Sequence, residues 1–211
     1  MLKFSMTILC LLLCLSAFES SAVAEGAPDD IKVKVQKDGD SVIIDLTVTI
    51  PATPEEAWAV LTDFDHMPQF LSNLQSSKIL EKNGDIWKVA QKGKSSHGGF
   101  SFSFESTREV ELKPFEVIRS HLLSGTMTKH EGLTQLFPNG TGTRIVYHAE
   151  SIANVWVPPL LGTSVVEGDV RKQFQEMEAE ILKRKAAAKK DGWLHDLSHL
   201  KDFNMSMLSR R

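Results

Sequence analysis

Cysteine is nearly absent from this chain, and its placement decides what the absence excludes. The two cysteines among 211 residues are Cys10 and Cys14. Both lie in the apolar run MTILCLLLCLSAF, residues 6–18, which follows Lys3 and precedes the small-x-small site Ala22-Val23-Ala24. A positive start, a short apolar stretch and a small-residue site read together as a cleaved secretory signal peptide over residues 1–24. The run is shorter than the roughly 20 residues that span a bilayer. Each cysteine follows a leucine rather than the small residue of a lipoprotein site. The mature chain is therefore expected in the periplasm or outside the cell. It has no thiol, hence no disulfide, no cysteine nucleophile and no thiolate metal site.

Other absences narrow the chemistry further. His66, His97, His121, His130 and His148 are scattered without an HExxH or HxH pairing. His148-Ala149-Glu150 could align two ligands on one strand face, but exposed polar pairs on strands are common, so no metal is expected. There is no G-x-S-x-G elbow. The glycines of SSHGGF lack the spacing and the following helix of a phosphate loop, and no cofactor is expected. The net charge is only −3, but it is uneven: residues 183–211 hold eight Lys/Arg against three Asp, which leaves −8 on residues 25–182. An acidic body disfavours nucleic acid as a partner.

What is present is alternation. IKVKVQ and SVIIDLTVTI, split by KDGD, read as two strands ending at Ile50. At PATPEEAWAVLTDF the period changes. Thr53 suits an N-cap, Pro54 the first helical position, and Glu55 and Glu56 the positive helix start. Ala57, Trp58, Val60, Leu61 and Phe64 form its apolar stripe, with Trp58 as its anchor and Asp63 and Asp65 capping its end. Asp65-His66-Met67-Pro68 breaks it, and PQFLSNL supplies a second short helical stretch. Six further strands are expected at approximately 77–82, 85–93, 99–113, 115–124, 127–137 and 142–154, joined by short turns in an antiparallel meander. Residues 159–187 then read as a long helix with Val166, Val170, Phe174, Met177 and Ile181 on one stripe. Residues 188–211 form a basic amphipathic tail carrying Trp193, Leu197 and Leu200, left open between docking on the body, lying on a membrane surface and staying loose.

An antiparallel sheet with one long helix to cover it points to an α+β chain in which a curved sheet grips the helix. The order strand, two short helices, six strands, helix resembles the START-like (SRPBCC) superfamily. Its polyketide cyclase and coenzyme-Q-binding branch is the one approached most closely. The resemblance rests on V-x-I-P-A-x-P-E-E-x-W-x-V-L-T-D-F-D-x-M-P-x-F over residues 48–70, on SGTMTKHEGLTQLFPNGTGTRIVYHAES and on VPPLL before the helix. It covers about residues 31–186, within an expected domain of residues 25–187. It implies a helix-grip fold around a deep apolar cavity of the kind that binds lipids, quinones, sterols or polyketides, often without catalysis.

GFSFSFESTREVEL, residues 99–112, is the stretch that bears on a site. Its even positions run Phe100, Phe102, Phe104, Ser106, Arg108, Val110, Leu112, so a hydroxyl and a guanidinium interrupt an apolar face. Four readings stay open for Arg108: turned outward by a bulge near Glu105, snorkelling at a rim, paired with Glu131 or Glu150, or meeting a ligand. A guanidinium in an apolar pocket selects a carbonyl, carboxylate or phosphate on an otherwise greasy molecule. Phe100, Phe102, Phe104, Trp87 and Phe137 are candidate lining, with ordinary core as the other reading. Tyr147, the single tyrosine, lies between Ile145 and Ala149 on one strand face as a candidate polar partner, and the direction of His121 is ambiguous.

No catalytic set emerges from these residues. The expected function is a non-catalytic carrier of a hydrophobic small molecule, whose basic tail could meet a membrane surface. The alternative is a cyclase or dehydratase in which Arg108, Tyr147 or His121 orients the carbonyls of a polyketide-like substrate. A third is an interaction domain with a vestigial cavity.

Overall fold

The computed structural model describes residues 31–97, 100–153 and 162–208, apart from the side chains of residues 97, 100, 102, 153 and 192–208. Within them β1 (Lys32–Asp38) and β2 (Ser41–Ile50) form the first hairpin. α1 (Pro54–Leu61) and a 3-10 turn over Phe64–Gln69 follow. β3 (Leu74–Asn83), β4 (Ile86–His97), β5 (Phe100–Lys113), β6 (Val117–Gly125), β7 (Met127–Asn139), β8 (Gly142–Ala153) and α2 (Thr163–Leu208) complete the chain. The eight strands form one antiparallel sheet in the order β1-β2-β8-β7-β6-β5-β4-β3. The meander β3 to β8 thus returns to the opening hairpin, and the short helices follow its second strand. Gly84 and Gly140 take positive φ in the two-residue hairpin turns, where a side chain would be strained.

The local start signals act as their chemistry requires. Thr53 and Glu56 close a capping box: the Thr53 Oγ1 accepts from the Glu56 amide at 3.3 Å and Glu56 Oε2 accepts from the Thr53 amide at 2.8 Å. Trp58 anchors α1 edge-on against Phe115, ring centroids 5.9 Å apart. The second helical stretch lies earlier than PQFLSNL, over Phe64–Gln69, with Pro68 inside it. Asp63 does not cap the 3-10 turn. It is 2.6 Å from His66 Nδ1 and 2.8 Å from Arg184 Nη1 on α2; burial pushes its carboxyl up, but the hydrogen bonds to His66 and Arg184 and the Arg184 charge hold it below the usual range. Asp65 accepts from the Ile79 amide at 2.9 Å, tying the turn to β3.

α2 lies on the inner face of the sheet, and Phe174, Met177 and Ile181 are buried there. Val166 and Val170, on the same stripe, are only partly covered. The sheet shows the same gradient. Val48, Ile50, Val89, Val110, Leu112, Ile118, Leu136 and Ile145 close one end of the inner face. At the other end Phe104, Arg108, Leu122, Gly132, Thr134, Tyr147 and Ser151 keep accessible surface. The apolar end of the inner face is closed throughout, whereas at the other end buried Gln91, Ser95, Ser106 and His130 alternate with these partly accessible positions.

α2 does not stop near residue 187. It runs for 46 residues, because Ala186–Lys190 is made of strong helix formers and Gly192 costs only about 1 kcal/mol. Lys185 Nζ still donates to the Pro51 carbonyl at 2.5 Å, whereas residues 186–191 are exposed. From there to Leu208 the helix continues for about 35 Å.

Candidate functional site

The site is a polar belt across the inner face of five strands. On β4 the inward positions change from Trp87 and Val89 to Gln91, Gly93 and Ser95. On β5 they change from Leu112 and Val110 to Arg108 and Ser106. On β6 Ser120 follows Ile118, on β7 Thr134, Gly132 and His130 follow Leu136, and on β8 Tyr147 and Ser151 follow Ile145. The register sets these side by side: Gln91 pairs with Ser106, Val110 with Ser120, Ser120 with Gly132, Thr134 with Tyr147 and His130 with Ser151.

Arg108 is the centre of the belt. β5 keeps its alternation, and the irregularity falls opposite it: Thr107 pairs with Ser124 and Arg108 with Leu122, so Leu123 is the extra residue and is exposed. The bulge therefore leaves Arg108 in phase with buried Val110 and facing in. Glu131 and Glu150 face the other way, Glu131 beside His121 and Glu150 2.7 Å from Lys129, so the proposed ion pair is absent. Instead Arg108 Nη2 donates to Gln91 Oε1. Gln91 is itself buried and donates from Nε2 to Ser77 Oγ at 3.0 Å, with Met67 Sδ at 3.4 Å. Arg108 Nε is buried without a hydrogen-bond partner among the described residues.

Enclosure dominates the proton affinities here. Loss of water lowers the pKa of Arg108 and raises that of Tyr147, with the two charges acting on each other in the opposite sense. His130 is pushed down to about 4 by burial and by the Arg108 charge. It is a neutral imidazole at ordinary pH, with Nδ1 2.8 Å from Ser151 Oγ. Arg108 and Tyr147 are thus deep enough to be governed by desolvation yet keep surface that water can reach. Both lie on the part of the inner sheet face turned toward the N-terminal half of α2. Gly132 leaves room on it: a Cβ there would stand 2.6 Å from Ser120 Oγ and 3.3 Å from His130 Nε2. At the mouth Ser95 Oγ donates to Asp169 Oδ2 of α2 at 2.5 Å, beside a polar hollow of about 350 Å³ that Asn73, Lys172 and Glu176 also line.

Of the residues named from the sequence, Arg108, Ser106, Phe104 and Tyr147 share the inner face. Tyr147 stacks obliquely on Phe174, centroids 5.5 Å apart. Phe100 and Phe102 continue the backbone of β5, but their side chains lie outside the described residues. Trp87 belongs to the closed end, edge-on to Phe64 at 6.2 Å, with its indole donating to the Gly84 carbonyl at 3.1 Å. Phe137 is a correction. It is 36% exposed on the outer face, with the Arg144 guanidinium 4.5 Å above its ring, because its neighbour Leu136 takes the inward position. His121 and His148 also face outward, beside Glu131 and Asp45. Sequence reasoning missed Gln91, Ser77, His130 and Ser151. Inward parity at the end of an otherwise apolar strand face is the signal that marks Gln91 and His130.

Residues 50–178 match the family described as polyketide cyclase/dehydrase and lipid transport. The chain belongs to this family. Its fold is the START-like helix grip, and solved structures agree. A STAR-related lipid transfer protein from Xanthomonas axonopodis superposes with a TM-score of 0.62 at 14% identity, over 74% of this chain and 95% of that one. The Zhui aromatase/cyclase from a Streptomyces species gives 0.59 at 19% identity, over 70% and 98%. A START superfamily protein from Mycobacterium smegmatis gives 0.56 at 20% identity, over 67% and 97%. At such identities the likeness concerns the fold. No curated protein matches the chain.

Proposed function

We propose that this polyketide cyclase/dehydrase and lipid transport family member is an exported, non-catalytic carrier. It would hold a hydrophobic small molecule between the curved sheet and the N-terminal half of α2. The observation that carries the reading is the pair Arg108 and Tyr147, deep in the body and still accessible. An apolar-walled space with a few converging polar groups is the usual form of a small-molecule site. Membership in a family that includes lipid transport supports it. Export rests on residues 1–24, and the basic end of α2 would bring the carrier to anionic membranes, where such molecules reside.

Native mass spectrometry of the purified mature protein, followed by solvent extraction, tests this. An apolar molecule retained on the chain, or taken up stoichiometrically from a set of lipids, quinones and sterols, is the expected result. A protein that neither retains nor accepts any of them is not such a carrier.

The second reading, a cyclase or dehydratase, is favoured by one observation: neutral His130, the Tyr147 hydroxyl and the Arg108 cation share one end of the inner sheet face. His130 would act as the base and Arg108 would hold a developing oxyanion. Chemical conversion of a bound aromatic polyketide precursor, lost in His130→Ala but with binding retained, would select this reading over the carrier.

A further inference from the structure

The carrier reading leaves the polar end of the ligand unspecified, and the charge count of the inner face specifies it. Among the described residues Arg108 is the one lysine or arginine on the inward positions of β4 to β8: Lys88, Lys92, Arg119, Lys129 and Arg144 take outward positions of their strands, and Lys37 and Lys82, in phase with the inner face on β1 and β3, lie at its margins, Lys82 over the Trp87 ring. No carboxylate reaches it; its one hydrogen bond goes to a neutral amide. Its Nε has no acceptor at all. An arginine cannot shed its proton to escape burial, so this charge calls for an acceptor that the described residues do not supply. Gln91 occupies one terminal nitrogen, which leaves Nε and the rest of the planar fork for an acceptor. Tyr147 lies close enough to feel this charge, stays a neutral phenol, and no hydrogen bond of its hydroxyl is present among the described residues.

We propose that the molecule held in this space is an apolar acid whose single carboxylate sits on Arg108, with the Tyr147 hydroxyl as a second donor. This rests on the carrier reading above. A carboxylate is planar, singly charged and suited to two parallel N–H donors of a guanidinium. A neutral head (an alcohol, ester or quinone carbonyl) would leave the cation uncompensated in an enclosed space. A phosphate monoester brings about −1.5 to −2 at neutral pH, more than one arginine balances. His130, neutral beside Arg108, adds a hydrogen-bonding edge and no charge.

The test uses the full mature chain and four probes of equal chain length: a long-chain fatty acid, its methyl ester, the alcohol and the alkyl phosphate. Affinities come from displacement of a fluorescent apolar dye. The acid is expected to bind at least about tenfold more tightly than ester or alcohol. Arg108→Met should abolish that preference while the neutral probes bind as before, and Tyr147→Phe should weaken the acid alone. Equal binding of acid and ester by the unmodified protein overturns the proposal, and this comparison needs no variant to fold. A preference that survives Arg108→Met, or an alkyl phosphate that outbinds the acid, also overturns it, while the carrier reading stands. Failure of all four probes to bind overturns the proposal, and the carrier reading falls with it only if quinones and sterols are refused as well.

Discussion

Arg108 on β5 and Gln91 on β4 form a buried hydrogen-bonded pair, Nη2 to Oε1, and Gln91 passes the contact on to Ser77. Gln91→Leu would remove the one acceptor Arg108 has and leave its guanidinium fully orphaned. A loss of about 2–3 kcal/mol is expected in urea denaturation. Adding Arg108→Met to Gln91→Leu should recover most of it, because the uncompensated charge then disappears. A double variant as unstable as the single one would show that Gln91 acts through packing rather than through Arg108.

His130 makes stability depend on pH. Its folded pKa of about 4 lies below the ordinary value of 6.5, so the unfolded chain binds the proton first. The contribution is complete above about pH 6.5 and is lost as pH falls from there toward about 4, reaching about 3 kcal/mol. Urea midpoints measured between pH 7.5 and 4.5 should fall, and His130→Gln should flatten the part of that slope due to this residue. An unchanged slope in the variant would assign the pH dependence to other groups.

Gly93 is held at its size by two neighbours. A Cβ on it would stand 2.4 Å from the Asn73 carbonyl oxygen and 2.3 Å from the tip of the Phe104 ring. The ring can swing away, but the backbone carbonyl cannot. Gly93→Ala should cost about 1–3 kcal/mol in thermal unfolding, and Phe104→Leu in the same chain should relieve only part of it.

The capping box at α1 contributes locally. Thr53→Ala removes the side-chain acceptor of the Glu56 amide and should lower stability by about 1 kcal/mol. Thr53→Ser should restore nearly all of it, since the hydroxyl is what caps the helix.

The end of α2 gives a binding prediction. Removing residues 189–211, which hold Lys189, Lys190, Lys201, Arg210 and Arg211, should abolish association with vesicles rich in anionic lipid. The full chain should lose that association as salt is raised. Vesicle binding that persists in the truncated chain would remove this segment from any membrane role.

The helix grip was legible because its signals are local. Period-two runs mark the strands, Thr53-Pro54-Glu55-Glu56 starts a helix, and the Phe174, Met177, Ile181 stripe identifies the covering face of α2. The inward direction of Arg108 was one of several readings. Only pairing with β6 settles it, by moving the irregularity onto Leu123. Phe137 was misplaced because Leu136 and Phe137 are both apolar, and alternation within one strand does not say which parity faces in. Gln91 and His130 were missed because a single polar residue on an apolar face looks like a flaw until its neighbours across the sheet are known.

The sequence by itself determined the elements, their order and the antiparallel connections, since hydrogen bonding and side-chain alternation act over a few residues. The tertiary structure decided the site. The belt from Gln91 through Arg108 to His130 and Tyr147 spans strands far apart in the chain, and only register aligns them. How deeply that belt is covered depends on the docking of α2, which Phe174, Met177 and Ile181 hold against the sheet from a distant part of the chain.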